Sequence, residues 1–178
     1  MDSILEPARQ IPVVHRTNIL VVGSGPAGLA AALAAARSGA EVTLVDRFSC
    51  FGGNITAVGV EGFAWYRHEK TVEAGGIGIY SEFIYGYGIL ILPTTGRYMQ
   101  IPYRSVLPKG IEGLLVAGRS HGADRVAHAA TRNMACCAVM GQGAGIAAAQ
   151  ALKSNRSLDQ VDMGAIHAEL DRQGVRFH

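Results

Sequence analysis

The glycine-rich turn after the first apolar run constrains the fold more than any other feature of this chain. Residues 19–22 read Ile-Leu-Val-Val, a short run rich in β-branched side chains that is typical of a buried parallel strand. Gly23, Gly25 and Gly28 follow at the Gly-x-Gly-x-x-Gly spacing, and Pro26 stands where a helix should begin. An Ala-rich helical segment comes next. This order predicts a strand, a tight turn and a helix.

Each glycine of the turn has its own physical reason. Gly23 allows the tight turn, Gly25 lets the backbone approach a pyrophosphate, and Gly28 lets the helix and the strand pack closely. The start of the helix then directs unsatisfied N–H groups and the positive end of its dipole at the phosphates. We therefore predict a dinucleotide site at this turn.

A second parallel strand is predicted over residues 41–46, and it ends on Asp46. This acid lies about 20 residues beyond the turn, where a carboxylate can bind the hydroxyl pair of a ribose. An acid at this place favours FAD or NAD over NADP, because NADP carries a phosphate on that ribose. The alternative is a plain surface aspartate at the end of a strand.

Length, charge and cysteine content narrow the class of protein. The 178 residues are expected to form one α/β domain, 1–178, with residues 1–17 as an extended tail. The net charge of +2 comes from scattered residues, so nucleic acid is not an expected partner. Cys136 and Cys137 are poor disulfide partners, because neighbours in a helix point apart. With Cys50 as the third cysteine, a reducing, cytoplasmic location is expected.

A long apolar stretch near the C-terminus raises the question of a membrane segment. Residues 134–152 are long enough to span a bilayer, but they consist mainly of Ala and Gly and include two glutamines. A buried helix without membrane association is the preferred interpretation. Gly141, Gly143 and Gly145 disfavour a helix by propensity, so their clustering predicts that another element packs very close.

Weaker patterns predict elements in the middle of the chain. Residues 74–83 are interpreted as a short helix, residues 89–92 as a strand, and residues 97–103 as its β partner. Residues 114–117, Leu-Leu-Val-Ala, are interpreted as another buried parallel strand. A polar loop is predicted over residues 119–131.

Two helices are predicted at the C-terminus, which completes the fold class. The first is a long helix that ends at about residue 153, and the second covers about residues 163–173, with Ser157 and Asp162 as candidate N-caps. The predicted class is α/β: a Rossmann-like central parallel sheet with flanking helices and a small β hairpin or meander.

These motifs together resemble the flavoproteins with two dinucleotide-binding domains, of the glutathione-reductase-like Rossmann type, and one FAD-dependent oxidoreductase family among them. The matching runs are residues 21–28, 45–48, 51–57, 75–78, 101–110, 114–119, 127–129, 132 and 140–145. They follow the order of the family, and the C-terminal runs are the more specific ones. The resemblance implies FAD that is bound non-covalently.

The resemblance also implies which residues contact the cofactor. They are Gly23, Ser24, Gly25, Pro26, Ala27, Gly28, Asp46, Arg47, Gly52, Gly53, Asn54, Gly118, Arg119, Asn133, Met134, Ala135 and Cys136. Residues 23–27 would hold the pyrophosphate, Asp46 the adenosine ribose, and residues 52–54 the pyrophosphate or the ribityl chain. Residues 133–136, at the start of the long helix, would face the flavin pyrimidine edge.

Two arginines in this set keep alternative interpretations. Arg47 would lie along the adenine or pair with phosphate, or it is an ordinary solvated side chain. Arg119 would pair with phosphate, for which a planar guanidinium is suited, or form a salt bridge within the chain.

One departure from the family concerns the substrate. Members usually carry a large substrate-binding insertion between the two cofactor halves, whereas here only about residues 80–95 occupy that place. Residues 76–105 are thus interpreted as a shortened remnant of the insertion. Because an uncapped flavin would leave apolar surface exposed, a homodimer whose second chain covers the flavin is expected.

The chemistry is expected to be a two-electron hydride transfer between flavin and a small organic substrate, with NADH or NADPH as a candidate donor. His128 is the candidate acid or base, and its alternative is a structural histidine. Cys50 has no partner placed for a dithiol relay, and a contact or covalent link with the flavin stays open. No cluster has metal-ligand spacing. The other functions considered are an FAD-binding or electron-transfer module without its own cap and, third, an NAD-binding domain.

Overall fold

A computed structural model describes residues 7–60, 80–84, 87–91 and 100–175 of the chain. The strands are β1 (Ile19–Val22), β2 (Val42–Val45), β3 (Tyr80–Ile84) and β4 (Tyr87–Ile91). The α-helices are α1 (Pro26–Arg37), α2 (Arg125–Thr131), α3 (Met134–Ser154) and α4 (Met163–Arg172). Short 3-10 turns cover Tyr103–Val106, Gly118–Ser120 and Leu158–Gln160.

The β1–α1–β2 unit has the architecture that the glycine turn predicted. β1 and β2 pair in parallel, with Ile19 opposite Val42 and Val22 opposite Val45. Helix α1 connects them, with Pro26 in its first turn and Ser38 as its C-cap. This parallel pair with flanking helices confirms the α/β, Rossmann-like class, and the carboxyl ends of both strands lie at the start of α1.

Helices α1 and α3 pack with their backbones in contact, and two glycines of α3 make this possible. A Cβ atom on Gly141 would lie 2.1 Å from the carbonyl oxygen of Ala27, and one on Gly145 would lie 2.2 Å from that of Ala31. The predicted close approach is confirmed. α3 is long and apolar enough to cross a bilayer, but 56% of its most apolar window is buried inside the protein.

The hydrophobic core lies where α1, α3 and α4 meet. Its buried members are Ala34, Ile146, Ala147, Ala151, Val161 and Ile166. A polar network closes the edge of this core: Glu169 Oε1 accepts hydrogen bonds from Ser38 Oγ at 2.9 Å, from Arg172 Nη2 at 2.6 Å and from Gln173 Nε2 at 2.7 Å. The predicted last helix is confirmed, and Asp162 caps it by accepting from the Gly164 amide at 2.8 Å.

The prediction of a buried parallel strand over residues 114–117 was wrong. The structure has no strand there, and Leu114 is 43% exposed. The Val116 amide donates instead to the carbonyl oxygen of Val106 at 2.8 Å, in a 3-10 turn rather than in a strand. Apolar content marked these residues as a strand, but a strand also needs a neighbouring strand, which apolar content cannot guarantee.

The prediction of a polar loop over residues 119–131 was wrong in its second half. α2 occupies Arg125–Thr131, and Asp124 is its N-cap, accepting from the Ala127 amide at 2.9 Å. The charged and histidine residues suggested a loop, but the N-cap and the alanines favour a short helix.

The hairpin forms between a different pair of segments from the pair that was expected. β4 pairs antiparallel with β3, whereas the strand at residues 89–92 was expected to pair with residues 97–103. Residues 80–83 lie in β3, so the short helix predicted over residues 74–83 is wrong there, and residues 74–79 lie outside the described residues. Tyr103 begins a 3-10 turn. Single-sequence patterns do not decide which of two candidate segments a strand pairs with.

Candidate functional site

The glycine turn has the geometry that its three glycines require. Gly23 has a φ of +98°, and its amide donates to the carbonyl oxygen of Val45 at 2.8 Å. A Cβ atom on Gly28 would lie 1.8 Å from the Gly23 carbonyl oxygen, so no side chain fits there. Around Gly25, in contrast, nothing lies within 4 Å of the Cβ position. The turn is tight on one side and leaves open space at Gly25, as close approach by a ligand requires.

The start of α1 is open to an anion. Gly25 is the N-cap and makes no side-chain capping hydrogen bond, and the first helical bond runs from the Leu29 amide to the Gly25 carbonyl at 2.9 Å. The amides of Ala27 and Gly28 therefore have no acceptor within the helix. Together with the helix dipole they favour negative charge at this end.

Ser24 is the most enclosed polar residue of the turn. Its side chain is fully buried, and its Oγ has no hydrogen-bond partner among the described residues. Buried hydroxyls without a partner are uncommon in proteins, because desolvation costs free energy that only a hydrogen bond restores. The orphaned hydroxyl and the open space at Gly25 both fit a phosphate group at this turn.

Asp46 stabilises the glycine turn through its carboxylate. Its Oδ2 accepts from the Ser24 amide at 2.5 Å, and its Oδ1 accepts from the Phe48 amide at 2.9 Å. Hydrogen bonding by Ser24 and by the Phe48 amide lowers the pKa of Asp46 to about 2. The carboxylate is thus charged at neutral pH. No feature of the sequence predicted the hydrogen bond from the Ser24 amide to Asp46.

The double glycine at residues 52–53 folds back onto the turn. The Gly52 amide donates to the Ser24 carbonyl at 2.9 Å, and a Cβ atom on Gly53 would lie 3.0 Å from Gly25 Cα. Both residues have positive φ, at +116° and +57°. This loop therefore lies at the place where phosphate fits.

Two neighbours of the double glycine have local partners. Arg47 places its guanidinium over the Phe48 ring at 4.5 Å from the ring centre, a cation–π contact. The carbonyl oxygen of Asn54 accepts from the Val60 amide at 2.9 Å. Their predicted contacts with the cofactor stay predictions.

Gly118 brings the C-terminal half of the chain to the same place. Its φ is +79°, and a Cβ atom there would lie 2.9 Å from Cβ of Ala27, in the first turn of α1. The predicted meeting of two distant sequence halves at the glycine turn is therefore visible in the packing. Arg119 follows, and its positive charge acts on the nearby Cys137 at the start of α3.

The start of α3 was expected to face the flavin. Asn133 is the N-cap without a side-chain capping bond, and its carbonyl accepts from the Cys137 amide at 2.8 Å. Met134, Ala135 and Cys136 form the first turn. Burial, with a smaller effect of Cys137, raises the pKa of Cys136 to about 11, so this thiol stays protonated. Both neighbouring cysteines are buried and reduced, and Cys50 is exposed.

His128 and His121 stack on each other beside the Gly118–Ser120 turn. Their ring centres are 5.2 Å apart, with an angle of 20° between the planes. His128 Nε2 donates to the carbonyl oxygen of Arg119 at 2.8 Å. The acid or base role of His128 stays a prediction. The hydrogen bond to Arg119 is the kind of contact that a structural histidine makes, which was the alternative interpretation. Among the described residues, no group of His, Cys, Asp or Glu could hold a metal ion.

Comparisons with known proteins agree with this geometry. The sequence model of the family described as FAD dependent oxidoreductase matches residues 18–87 and 86–170. The sarcosine oxidase subunit alpha of a Corynebacterium species is 49% identical over 55 residues, which are 31% of this chain and 6% of that protein. The soluble pyridine nucleotide transhydrogenase of Chromohalobacter salexigens is 41% identical over 56 residues, which are 32% of this chain and 12% of that protein.

The chain spans 6% and 12% of the length of these two curated relatives. No solved structure matches the chain. The family match nevertheless covers both sequence halves that meet at Gly25, Gly53 and Gly118, where a phosphate fits. The chain therefore belongs to the FAD-dependent oxidoreductase family, and FAD is its cofactor.

Proposed function

We propose that the protein uses bound FAD for a two-electron transfer with a small organic substrate. One observation carries this proposal: the glycine turn, the double glycine and Gly118 converge on the open end of α1, as a cradle for one dinucleotide requires. The flavin supplies the hydride chemistry when bound. The chain's own residues bind the pyrophosphate, hold the ribose and keep the two halves in register.

The names of the relatives suggest which donors to test. One relative is an oxidase of sarcosine, a small N-methyl amine, and another acts on pyridine nucleotides. We therefore propose these two chemical classes as candidate electron donors. In the described residues no second Gly-x-Gly-x-x-Gly turn is present for a nicotinamide nucleotide, so that donor would bind on a different kind of surface.

The test has two stages. The protein is purified, the flavin is released by heat and identified by chromatography, and the holoprotein is titrated without oxygen with NADPH, NADH and sarcosine. Bleaching of the flavin by a donor supports an active oxidoreductase. A Gly25→Ala variant is the matched control, because its Cβ atom enters the open space with nothing of the described protein within 4 Å. Retention of FAD by this variant would contradict the proposed location of the site.

The second candidate function is an FAD-binding or electron-transfer module whose catalytic cap comes from another chain. The short middle of the chain favours this alternative, because only about residues 80–95 stand where the family carries its substrate-binding insertion. A yellow protein whose flavin no donor reduces would support the module.

Exposed apolar side chains beside the site support a homodimer. Leu20 and Val22 lie on one face of β1 and are 58% and 78% exposed, and Phe51 next to the double glycine is 56% exposed. We propose that a second copy covers this surface. Light scattering coupled to size-exclusion chromatography tests this, and a stable holo monomer would contradict it.

A further inference from the structure

The buried ring of His121 connects the Gly118–Ser120 turn to α2. His121 is 5% exposed, its Nδ1 lies 2.8 Å from the Gly118 carbonyl oxygen, and its Nε2 lies 2.7 Å from Thr131 Oγ1. A carbonyl oxygen only accepts, so Nδ1 must carry a proton. The bond to Gly118 therefore fixes the tautomer of a neutral His121.

Thr131 contacts the other ring nitrogen. Its hydroxyl donates to the Ala127 carbonyl oxygen at 2.8 Å and lies 2.7 Å from His121 Nε2. Both nitrogens of the buried ring therefore have a polar neighbour, as a buried polar group requires. The proton on Nδ1 is assigned from the Gly118 carbonyl oxygen alone, which can only accept.

His128 makes the matching bond from the other side of the stack. Its Nε2 donates to Arg119, so two stacked rings hold two consecutive carbonyl groups, those of Gly118 and Arg119. His128 itself is anchored in α2, where its amide donates to the Asp124 carbonyl at 2.8 Å. The pair acts as a clamp between the turn and α2.

The clamped turn contacts the cofactor cradle. The Cβ position of Gly118 lies 2.9 Å from Ala27, so a small shift of the turn changes its packing on the first turn of α1. Arg119 would move with it.

We propose that His121 and His128 are positioning residues of the FAD site, which set the place of Gly118 and Arg119 against the start of α1. Neither ring needs to touch FAD, and the inference rests on the proposed function only through the identity of the ligand. The required groups are an N–H at the Nδ1 position of residue 121 and an N–H at the Nε2 position of residue 128.

Amide side chains allow a crossed test, because the Asn amide nitrogen replaces Nδ1 of histidine and the Gln amide nitrogen replaces Nε2. H121N and H128Q keep the bonds to the two carbonyl groups, whereas H121Q and H128N lose them. We expect the dissociation constant for FAD to stay within about threefold in the first pair and to rise roughly 3–10-fold in the second pair, the size of one hydrogen bond. H167N, an exposed histidine of α4, serves as the control.

Two measurements without FAD separate this inference from the proposed function. Nitrogen-15 NMR of the apoprotein should show His121 with its proton on Nδ1 and His128 with its proton on Nε2. Amide exchange at residues 118–122 should accelerate in H121Q and H128N but not in H121N and H128Q. Equal effects of Asn and Gln at either position, or the opposite tautomers, would overturn the clamp. Wild-type protein that binds no FAD but shows the crossed exchange pattern would overturn the proposed function alone.

Discussion

Replacing Gly141 by alanine should destabilise the protein, although alanine is the better helix former. The new Cβ atom would lie 2.1 Å from the Ala27 carbonyl oxygen, where an ordinary contact is 3.4–4 Å. The neighbour is helix backbone and cannot swing aside, so α3 must move away from α1 by roughly 1 Å. Overpacking of this kind costs about 1–3 kcal/mol and occasionally more, against a gain of about 1 kcal/mol in helix propensity. Because the clash is with backbone, we take the upper end of this range, which gives a net loss of about 2 kcal/mol.

Gly143 provides the matched control within the same helix. Nothing lies within 4 Å of its Cβ position, so G143A should keep the propensity gain of about 0.5–1 kcal/mol without a clash. Thermal unfolding followed by circular dichroism should show G141A melting about 4–8 °C lower than wild type and G143A about 1–4 °C higher. Because Ala27 belongs to the first turn of α1, G141A should also weaken FAD binding. Shifts of the same sign in both variants would refute this account of the helix contact.

Three further predictions concern the turn and the core. G28A should prevent stable folding, because its Cβ atom would lie 1.8 Å from a backbone oxygen. G25A should have the same stability as wild type in a urea titration, because nothing lies within 4 Å of its Cβ position. Its affinity for FAD, measured by fluorescence, should be lower. The lowered pKa of Asp46 means that its contribution to stability is complete above pH 3.8 and is lost as the pH falls towards 2; D46N should remove this pH dependence from the melting curve. E169Q should destabilise the protein by about 1–2 kcal/mol, because a neutral amide makes weaker hydrogen bonds here than the carboxylate. Hydrogen bonding by Arg172 lowers the pKa of Glu169 to about 2. Most of the difference in stability from wild type should therefore disappear as the pH falls from 4.5 to 2.

Local patterns predicted the parts of the fold whose causes are local. The β-branched run before Gly23, the proline in the first turn of α1 and the small-residue run of α3 all indicated elements that the structure has. Each of these signals reflects steric or propensity effects within a few residues. The glycines of α3 also indicated a close neighbour correctly, because a residue that disfavours helices must have another reason to be there.

Elements that depend on distant partners were predicted poorly. Residues 114–117 have the composition of a strand, but strand formation depends on a free edge of a sheet, and their Val116 amide bonds to Val106 instead. β4 pairs with β3, which precedes it in the chain, whereas a partner that follows it was expected. Pairing is decided by competition among segments, which no single segment records.

The sequence by itself determined that a dinucleotide turn exists, that an acid follows it and that the motifs match an FAD-dependent family. Only the tertiary structure decided that Ser24 loses contact with solvent, that Asp46 fixes the Ser24 amide, and that Gly118 contacts Ala27. The physical reason is the distance along the chain over which each effect acts. Backbone freedom and helix propensity are properties of a residue and its near neighbours, whereas burial and hydrogen-bond partners arise when segments separated by as many as 139 residues pack together.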